Sequence, residues 1–164
     1  MADTKFSPNR GFRDSPFQLE ITSATVGASI YYTLDGSEPS PDNGTLYTGP
    51  LTIDKTETIR AAAFKNGQVP TNIDTHTYIF PSSVLAQSPT PPGFPPTWGT
   101  RTTDYEMDPD LIGNIYSQQQ VIESLRSLPS ISVVMDVDDL FDGTTGFYAN
   151  SCLLYTSPSP RDRG

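Results

Sequence analysis

The sequence contains no long apolar run. No stretch of about 18 apolar residues is present to span a bilayer, and residues 1–12 lack the apolar centre of a secretory signal peptide. The sequence therefore predicts no membrane span. The missing leader predicts either a cytosolic protein or one whose true N-terminus is absent from this chain.

Cysteine and histidine are almost absent. Cys152 is the single cysteine and His76 the single histidine, so neither a disulfide framework nor a cysteine nucleophile is inferred. With no second imidazole, a histidine-based triad or metal site is also not expected. His76 is interpreted as an ordinary residue of a strand.

Positive charge is also scarce. The chain has 10 Lys and Arg against 19 Asp and Glu, a net charge of −9 and a pI near 4.3. Phosphates of nucleic acids and anionic membrane surfaces would repel such a protein. Nucleic acid is therefore excluded as an expected partner.

Proline and glycine are abundant, whereas apolar residues are few. With 16 Pro, 12 Gly and 35% hydrophobic residues, apolar side chains must lie in short segments separated by turns, which favours strands and loops over a helical bundle. A length of 164 residues allows one ordinary domain and part of a second.

Alternating apolar and polar residues predict a series of short strands. Turn signals separate them, above all Asp35-Gly36, Asn66-Gly67 and Pro70. The predicted strands are Phe17–Ile21, Ala28–Leu34, Leu51–Ile53, Thr58–Phe64 and Thr75–Phe80. The predicted core contains Leu19, Ile21, Ile30, Tyr32, Leu34, Ile59 and Phe64. This pattern predicts an all-β fold, a small antiparallel sandwich.

The composition changes after Phe80. Residues 81–104 are rich in Pro, Ser and Thr and are predicted to form a linker without helix or strand. Apolar residues at helical spacing predict a helix from Pro109 through Ser127. Ile131–Met135 is predicted as a strand and 136–146 as an acidic turn, so the second unit reads as a truncated α/β segment.

Three segments in order resemble the chitobiase/β-hexosaminidase C-terminal domain family, which is also described as fibronectin type III-associated. They are Ile30–Pro39, Gly44–Pro50 and Thr58–Phe64. The resemblance covers residues 6–80 and implies an immunoglobulin-like β-sandwich appended to secreted bacterial carbohydrate-active and surface proteins. It also implies an extracellular or cell-surface location. Asp35-Gly36 and Tyr47 are read as determinants of the fold.

Residues 105–151 resemble the region that precedes the kinase-like domain of CotH family proteins. The segments that carry this resemblance are Tyr105–Pro109, Leu128–Met135 and Asp139–Asn150. It implies a downstream domain of the same parent chain as the partner, and a parent that is an atypical protein kinase. The family's nucleotide and metal site would lie beyond this segment, so no catalytic residue is carried over.

The final residues, 152–164, resemble a translated sequencing adapter. The peptide from Cys152 to Asp162 matches such a translation and shows no helix or strand periodicity. We therefore expect these residues to be an artefact of metagenomic sequence and the native chain to be truncated.

Clustered carboxylates admit two site hypotheses, each with a simpler alternative. Asp35 and Glu38 have the residue types of a glycosidase acid–base pair, but a turn is a poor scaffold for such a pair, and we favour a turn-forming Asp and a solvent-facing Glu. Asp136, Asp138, Asp139 and Asp142 have ligands that calcium prefers, yet their spacing does not fit an EF-hand loop. A solvated turn is the alternative for these four residues.

Aromatic residues admit a third hypothesis, sugar stacking. The candidates are Trp98, Tyr105, Tyr31, Tyr32 and Tyr47, and the alternative is that most of them lie in the core. We assign no catalytic, cofactor-binding or metal-binding residue and no cofactor. The sequence thus predicts a non-enzymatic accessory module that positions a CotH kinase-like domain. The alternative is a carbohydrate-binding module, with cell-surface polysaccharide as the partner.

Overall fold

A computed structural model describes residues 1–98 and 101–148, and the chain up to Phe80 forms two β-sheets. The strands are β1 (Thr4–Ser7), β2 (Gly11–Phe12), β3 (Phe17–Ser23), β4 (Ser29–Thr33), β5 (Thr45–Leu46), β6 (Leu51–Ile53), β7 (Glu57–Phe64) and β8 (Asp74–Ile79). The first sheet has the strand order β1-β3-β6 and the second the order β2-β8-β7-β4-β5.

All pairs of strands in these two sheets are antiparallel except β2 with β8, which are parallel. The longest ladders join β7 to β4 and to β8, with Tyr31 opposite Ala62 and Thr58 opposite Thr77. The expectation of an all-β fold is confirmed.

The core lies between the two sheets, because buried side chains from both belong to one cluster. Leu19, Ile21 and Ile53 come from the three-stranded sheet, while Ile59 and Tyr78 come from the five-stranded sheet. In β7 the residues Ile59, Ala61 and Ala63 alternate toward this core, as side chains of an extended strand must. Small alanines allow the facing sheet to approach closely.

Four of the seven predicted core residues are buried, namely Leu19, Ile21, Ile30 and Ile59. Tyr32 is partly buried and packs against the core. The prediction for Leu34 is wrong, because β4 ends at Thr33 and Leu34 is 46% exposed. Phe64 is also not a core residue, since it lies five positions after Ile59 and therefore on the opposite face of the strand.

Strands β1, β2 and β5 were not predicted. Each has four residues or fewer, and none shows enough alternation to be recognised from sequence. β1 nevertheless pairs with β3 over four positions, from Thr4 opposite Ser23 to Ser7 opposite Glu20.

The prediction that residues 81–104 contain no helix or strand is wrong. Pro81–Leu85 form a short helix, α1, and Thr97–Trp98 (β9) pair with Arg101–Thr102 (β10). Pro81 stands in the first turn of α1, where its missing N–H and fixed φ are compatible with a helix. Between these elements the chain is irregular.

The predicted helix is present but begins later than expected. α2 covers Gln118–Ser127, and residues 109–117 form turns with an isolated bridge between Ile112 and Tyr116. Ser117 starts the helix because its hydroxyl accepts the N–H of Gln120, whose side chain in turn accepts the N–H of Ser117.

The predicted strand Ile131–Met135 is not a strand. The segment has no ladder pairing, and Ile131 is 89% exposed. The predicted acidic turn contains a short helix, α3 (Val137–Phe141), which the Asp136 carboxylate caps by accepting the N–H of Asp138. An acidic cap at a helix N-terminus is favourable because it satisfies a free N–H group.

The expectations for residues 149–151 and for the adapter-like residues 152–164 lie outside the described residues. Within residues 1–98 and 101–148, no helix combines the length and the apolar character needed to cross a membrane.

Candidate functional site

Asp35 organises the turn at the end of β4. Its carboxylate accepts hydrogen bonds from the Ser37 hydroxyl at 2.6 Å and from the Ser37 N–H at 3.0 Å. These bonds hold the pKa of the Asp35 carboxyl below its ordinary value. Asp35 is thus ionised and engaged in the turn, whereas Glu38 is exposed, an arrangement that provides no acid–base pair across a cleft.

Tyr47 fixes the loop that follows this turn. The Ile21 N–H donates to the Tyr47 hydroxyl at 3.1 Å, and the Tyr47 N–H donates to the Ile30 carbonyl at 2.8 Å. The ring also packs against the core. Tyr47 therefore connects the two sheets, which is a role in the fold.

His76 lies in β8 and stacks on Phe6 of β1, with ring centroids 4.1 Å apart and planes 12° from parallel. Its Nδ1 atom is buried and has no hydrogen-bond partner among the described residues. Burial, reinforced by the nearby Arg10, lowers the pKa of His76, and Asp74 partly opposes the effect. The imidazole is a packing group between the sheets.

Tyr78 is a second buried polar group in β8. Its side chain is fully buried and its hydroxyl donates to the Pro8 carbonyl at 2.7 Å. Burial raises the pKa of Tyr78 to about 12, although the guanidinium of Arg13, 5.6 Å from the ring centroid, opposes this rise. The phenol is therefore protonated and serves as a donor within the fold.

The acidic residues after Met135 are used as caps and turns. Asp136 caps α3, and Asp142 accepts the N–H groups of Thr144 and Thr145, both at 2.8 Å. These backbone hydrogen bonds lower the pKa of Asp142. Among the described residues, no three His, Cys, Asp or Glu side chains are grouped so that they could hold a metal ion.

The predicted sugar-stacking aromatics do not form one row. Tyr32 and Tyr47 pack against the core, Tyr105 contacts Phe94 at 5.5 Å between centroids, and Tyr31 pairs with Phe64 on the outer face of the five-stranded sheet. The prediction for the Trp98 side chain lies outside the described part of the chain.

The outer face of the five-stranded sheet is in contact with the chain after Pro129, and we call this region the segment contact surface. It comprises Thr58 of β7, the outward-facing residues Thr75, Thr77 and Ile79 of β8, the turn Leu34–Gly36 and the segment Ser130–Val137. The Thr77 and Ser132 hydroxyls are 2.7 Å apart in a hydrogen bond. Arg126 at the end of α2 also forms an ion pair with Asp14.

Gly36 is the residue of the Asp35-Gly36 turn that the segment approaches closely. Its carbonyl accepts a hydrogen bond from Arg60 Nη1 at 2.6 Å, and a Cβ atom added to it would stand 3.0 Å from the Met135 carbonyl oxygen. A φ of +84° at this position favours glycine. The absent side chain thus permits the segment to approach the turn.

A cavity of about 780 Å³ lies between the sheet and the segment. Its apolar lining includes Leu34, Val133, Met135, Leu140 and Phe141. Glu57 also lines it, and burial raises the pKa of this carboxyl although Lys55 opposes the effect. Leu34 is therefore not a core residue of the sheets but part of the segment contact surface.

Sequence reasoning did not find the segment contact surface. The available signal was a set of threonines that alternate with core residues, Thr58 in β7 and Thr75 and Thr77 in β8. A strand whose outer face carries small hydroxyl side chains can accept a neighbouring chain closely, but the sequence does not say which segment would occupy it.

Comparison with known proteins supports part of the sequence interpretation. A search of curated proteins gave no match. The CotH resemblance of residues 105–151 and the adapter resemblance of residues 152–164 have no support from these comparisons and stay predictions. Residues 8–75 match the family model of the chitobiase/beta-hexosaminidase C-terminal domain, which confirms the first resemblance and suggests an accessory module of a carbohydrate-active protein.

Proposed function

We propose that residues 6–80 form an immunoglobulin-like sandwich that serves as a non-catalytic accessory module, holding the chain that follows it in a fixed orientation. The parent would be a secreted bacterial surface or carbohydrate-active protein, and the module would act outside the cell. The basis for the parent class is the family match over residues 8–75.

The observation that carries this proposal is the segment contact surface. Ser130–Val137 lie along the outer face of the five-stranded sheet, and Thr77 bonds Ser132 across 55 residues of sequence. A further contact supports it, the ion pair between Arg126 and Asp14. A module that only tethered its neighbour would have no need of such contacts.

The neighbour that we propose is a CotH kinase-like domain of the same parent chain, because residues 105–151 resemble the region before such a domain. Phosphate transfer would belong to that domain. ATP hydrolysis by the 164-residue chain, above that of a boiled sample, would overturn the non-catalytic assignment.

A disulfide cross-link tests the orientation. In a Cys152→Ser background, the pair Thr77→Cys and Ser132→Cys should oxidise to an intramolecular disulfide, since the hydroxyls they replace are 2.7 Å apart and Cβ atoms about 3.5–4.5 Å apart suit this bond. Peptide mass spectrometry after proteolysis identifies the linked residues.

The matched control pairs Ser132→Cys with Thr22→Cys. Thr22 is exposed on β3 of the other sheet, so this pair should stay reduced under the same oxidant. Equal cross-linking of both pairs would mean that the segment is not held against the five-stranded sheet, and the proposal would be abandoned.

A second candidate function is carbohydrate binding by the same module. The observation that favours it is the Tyr31–Phe64 aromatic pair, which lies on the outer face of the sheet away from the shared core.

A further inference from the structure

A second cavity lies at the end of the five-stranded sheet where β4 begins and β7 ends, and we call it the end groove. Its volume is about 680 Å³, and Tyr31, Phe64, Asn66 and Gln68 are among the residues that line it. Pro41 and Pro70 also line it, each from a loop. None of the residues that line it belongs to the segment contact surface.

Two aromatic rings contribute the apolar part of the end groove. Tyr31 of β4 lies opposite Ala62 of β7, so Phe64 is its diagonal neighbour on the same face. The ring centroids are 5.7 Å apart and the planes are nearly perpendicular, at 80°. This edge-to-face contact orients both rings before any ligand arrives, and both remain partly exposed.

Two amide side chains contribute the polar part. Asn66 and Gln68 are exposed in the turn after β7, which is closed by a 3.1 Å hydrogen bond from the Gln68 N–H to the Lys65 carbonyl. Gly67 between them has a φ of +75°, which a turn of this shape requires. A carboxamide presents both a donor and an acceptor, which matches the hydroxyl groups of a sugar.

The charges at the end groove favour a neutral ligand. None of the residues that line it is acidic, and its single cationic side chain, Lys65, already donates from Nζ to the Val26 carbonyl at 2.8 Å. The net charge of −9 on the whole chain would also repel an anion at long range. A cationic ligand would find no carboxylate in the end groove, and an anionic ligand would be repelled by the net charge of the chain. These charges therefore favour a neutral ligand.

We propose that the end groove binds a neutral oligosaccharide, with Tyr31 packing on the face of a pyranose ring and Asn66 and Gln68 bonding its polar substituents. The volume falls within the roughly 300–1,000 Å³ typical of small-ligand sites, which combine apolar surface with a few polar groups. This inference rests on the second candidate function and names its site and ligand class.

The test is an NMR titration of the ¹⁵N-labelled chain with chitotetraose and, separately, with cellotetraose. At least one of the two neutral glycans should shift backbone amide resonances, and the shifts should concentrate at residues 27–31 and 64–70. Unchanged spectra with both glycans would overturn the proposal, and so would shifts confined to other parts of the sheet.

Two substitutions locate the ligand. Tyr31→Ala should weaken binding about tenfold, because it removes the stacking surface, and Gln68→Ala should weaken it by a factor of about three because one hydrogen bond is lost. Gln68 lies in an exposed turn, so Gln68→Ala tests the site even if Tyr31→Ala does not fold.

The matched control is Tyr116→Ala. Tyr116 is 51% exposed and does not line the end groove, so glycan affinity should be unchanged. If Tyr116→Ala weakened binding as much as Tyr31→Ala, or if both groove variants bound normally, the assignment of the site would be wrong. The cross-link between residues 77 and 132 is independent of this result, so the two proposals can fail separately.

Discussion

At the scale of the residue, His76 shows how burial of a side chain makes the stability of the fold depend on pH. Its imidazole is stacked on Phe6 and partly removed from water, so the folded protein disfavours the charged form. Arg10 adds to this effect, whereas Asp74 opposes it. The folded pKa therefore lies below the unfolded value of about 6.5.

The expected result is a loss of stability in mild acid. Because the pKa is lowered on folding, the contribution of neutral His76 is complete above the unfolded pKa and declines as pH falls through it toward the folded pKa. Urea denaturation between pH 7.5 and 5.5 should show this decline in the unmodified chain. The variant His76→Phe keeps the ring stack and should show a flatter profile.

An identical pH dependence in His76→Phe would assign the effect to other groups. Glu57 cannot imitate it, since its pKa is raised on folding and its protonation therefore favours the folded state as pH falls. The two side chains thus make contributions of opposite sign.

Tyr78 is fully buried, and its hydroxyl is used in a hydrogen bond within the fold. Tyr78→Phe removes the hydroxyl that donates to the Pro8 carbonyl, so the hydrogen bond between them is lost. We expect the free energy of unfolding to fall by about 1–2 kcal/mol, measured by urea denaturation at pH 7. Tyr32→Phe is the control, because Tyr32 is only partly buried, and its effect should be smaller.

At the scale of the element, α2 depends on its N-terminal cap. The Ser117 hydroxyl and the Gln120 side chain satisfy each other's backbone N–H groups. Ser117→Ala should destabilise the helix by about 1 kcal/mol, visible as faster amide hydrogen exchange at Val121 and Ile122. Ser124→Ala, within the same helix, should not accelerate exchange at these amides.

Strands that alternate over five or more residues could be predicted from the sequence, as Phe17–Ser23 and Glu57–Phe64 illustrate. The errors have identifiable physical causes. Ile131–Met135 has the composition of a strand but lies over the face of the five-stranded sheet instead of beside one of its edge strands, so it forms no ladder, and Ile131 and Val133 remain exposed. The start of α2 could have been predicted from the sequence, because Ser117 and Gln120 have the spacing of a capping box.

At the scale of the whole molecule, Gly36 is the position where the end of β4 and the segment Ser130–Val137 come into close contact. Gly36→Ala introduces a Cβ at a φ of +84° and 3.0 Å from the Met135 carbonyl oxygen. The unfavourable φ alone should cost about 1–2 kcal/mol. The clash with Met135 should in addition release the segment, seen as faster amide exchange within Ser130–Val137.

Gly67→Ala provides the matched comparison for this prediction. Its φ is +75°, and nothing lies within 4 Å of the added Cβ. It should therefore lose a similar amount of stability without any change in exchange at Ser130–Val137. Equal exchange in both variants would show that Gly36 does not control the position of the segment.

The site could be predicted less completely than the fold. The turn at Asp35-Gly36 follows from local chemistry, since Asp bonds its own backbone and Gly accepts a positive φ. The segment contact surface, by contrast, depends on residues such as Thr77 and Ser132 that lie far apart in sequence. Contacts at that separation leave no local periodicity to recognise.

The parallel pairing of β2 with β8 has a mechanical consequence. Gly11 lies opposite Tyr78 and Phe12 opposite Ile79, and the Arg13 N–H donates to the Ile79 carbonyl at 2.8 Å. Tension that pulls the chain before Gly11 and the chain after Ile79 in opposite directions would act along these strands. The hydrogen bonds between them would then be loaded together in shear, so the module would resist extension most strongly where the chain enters and leaves it.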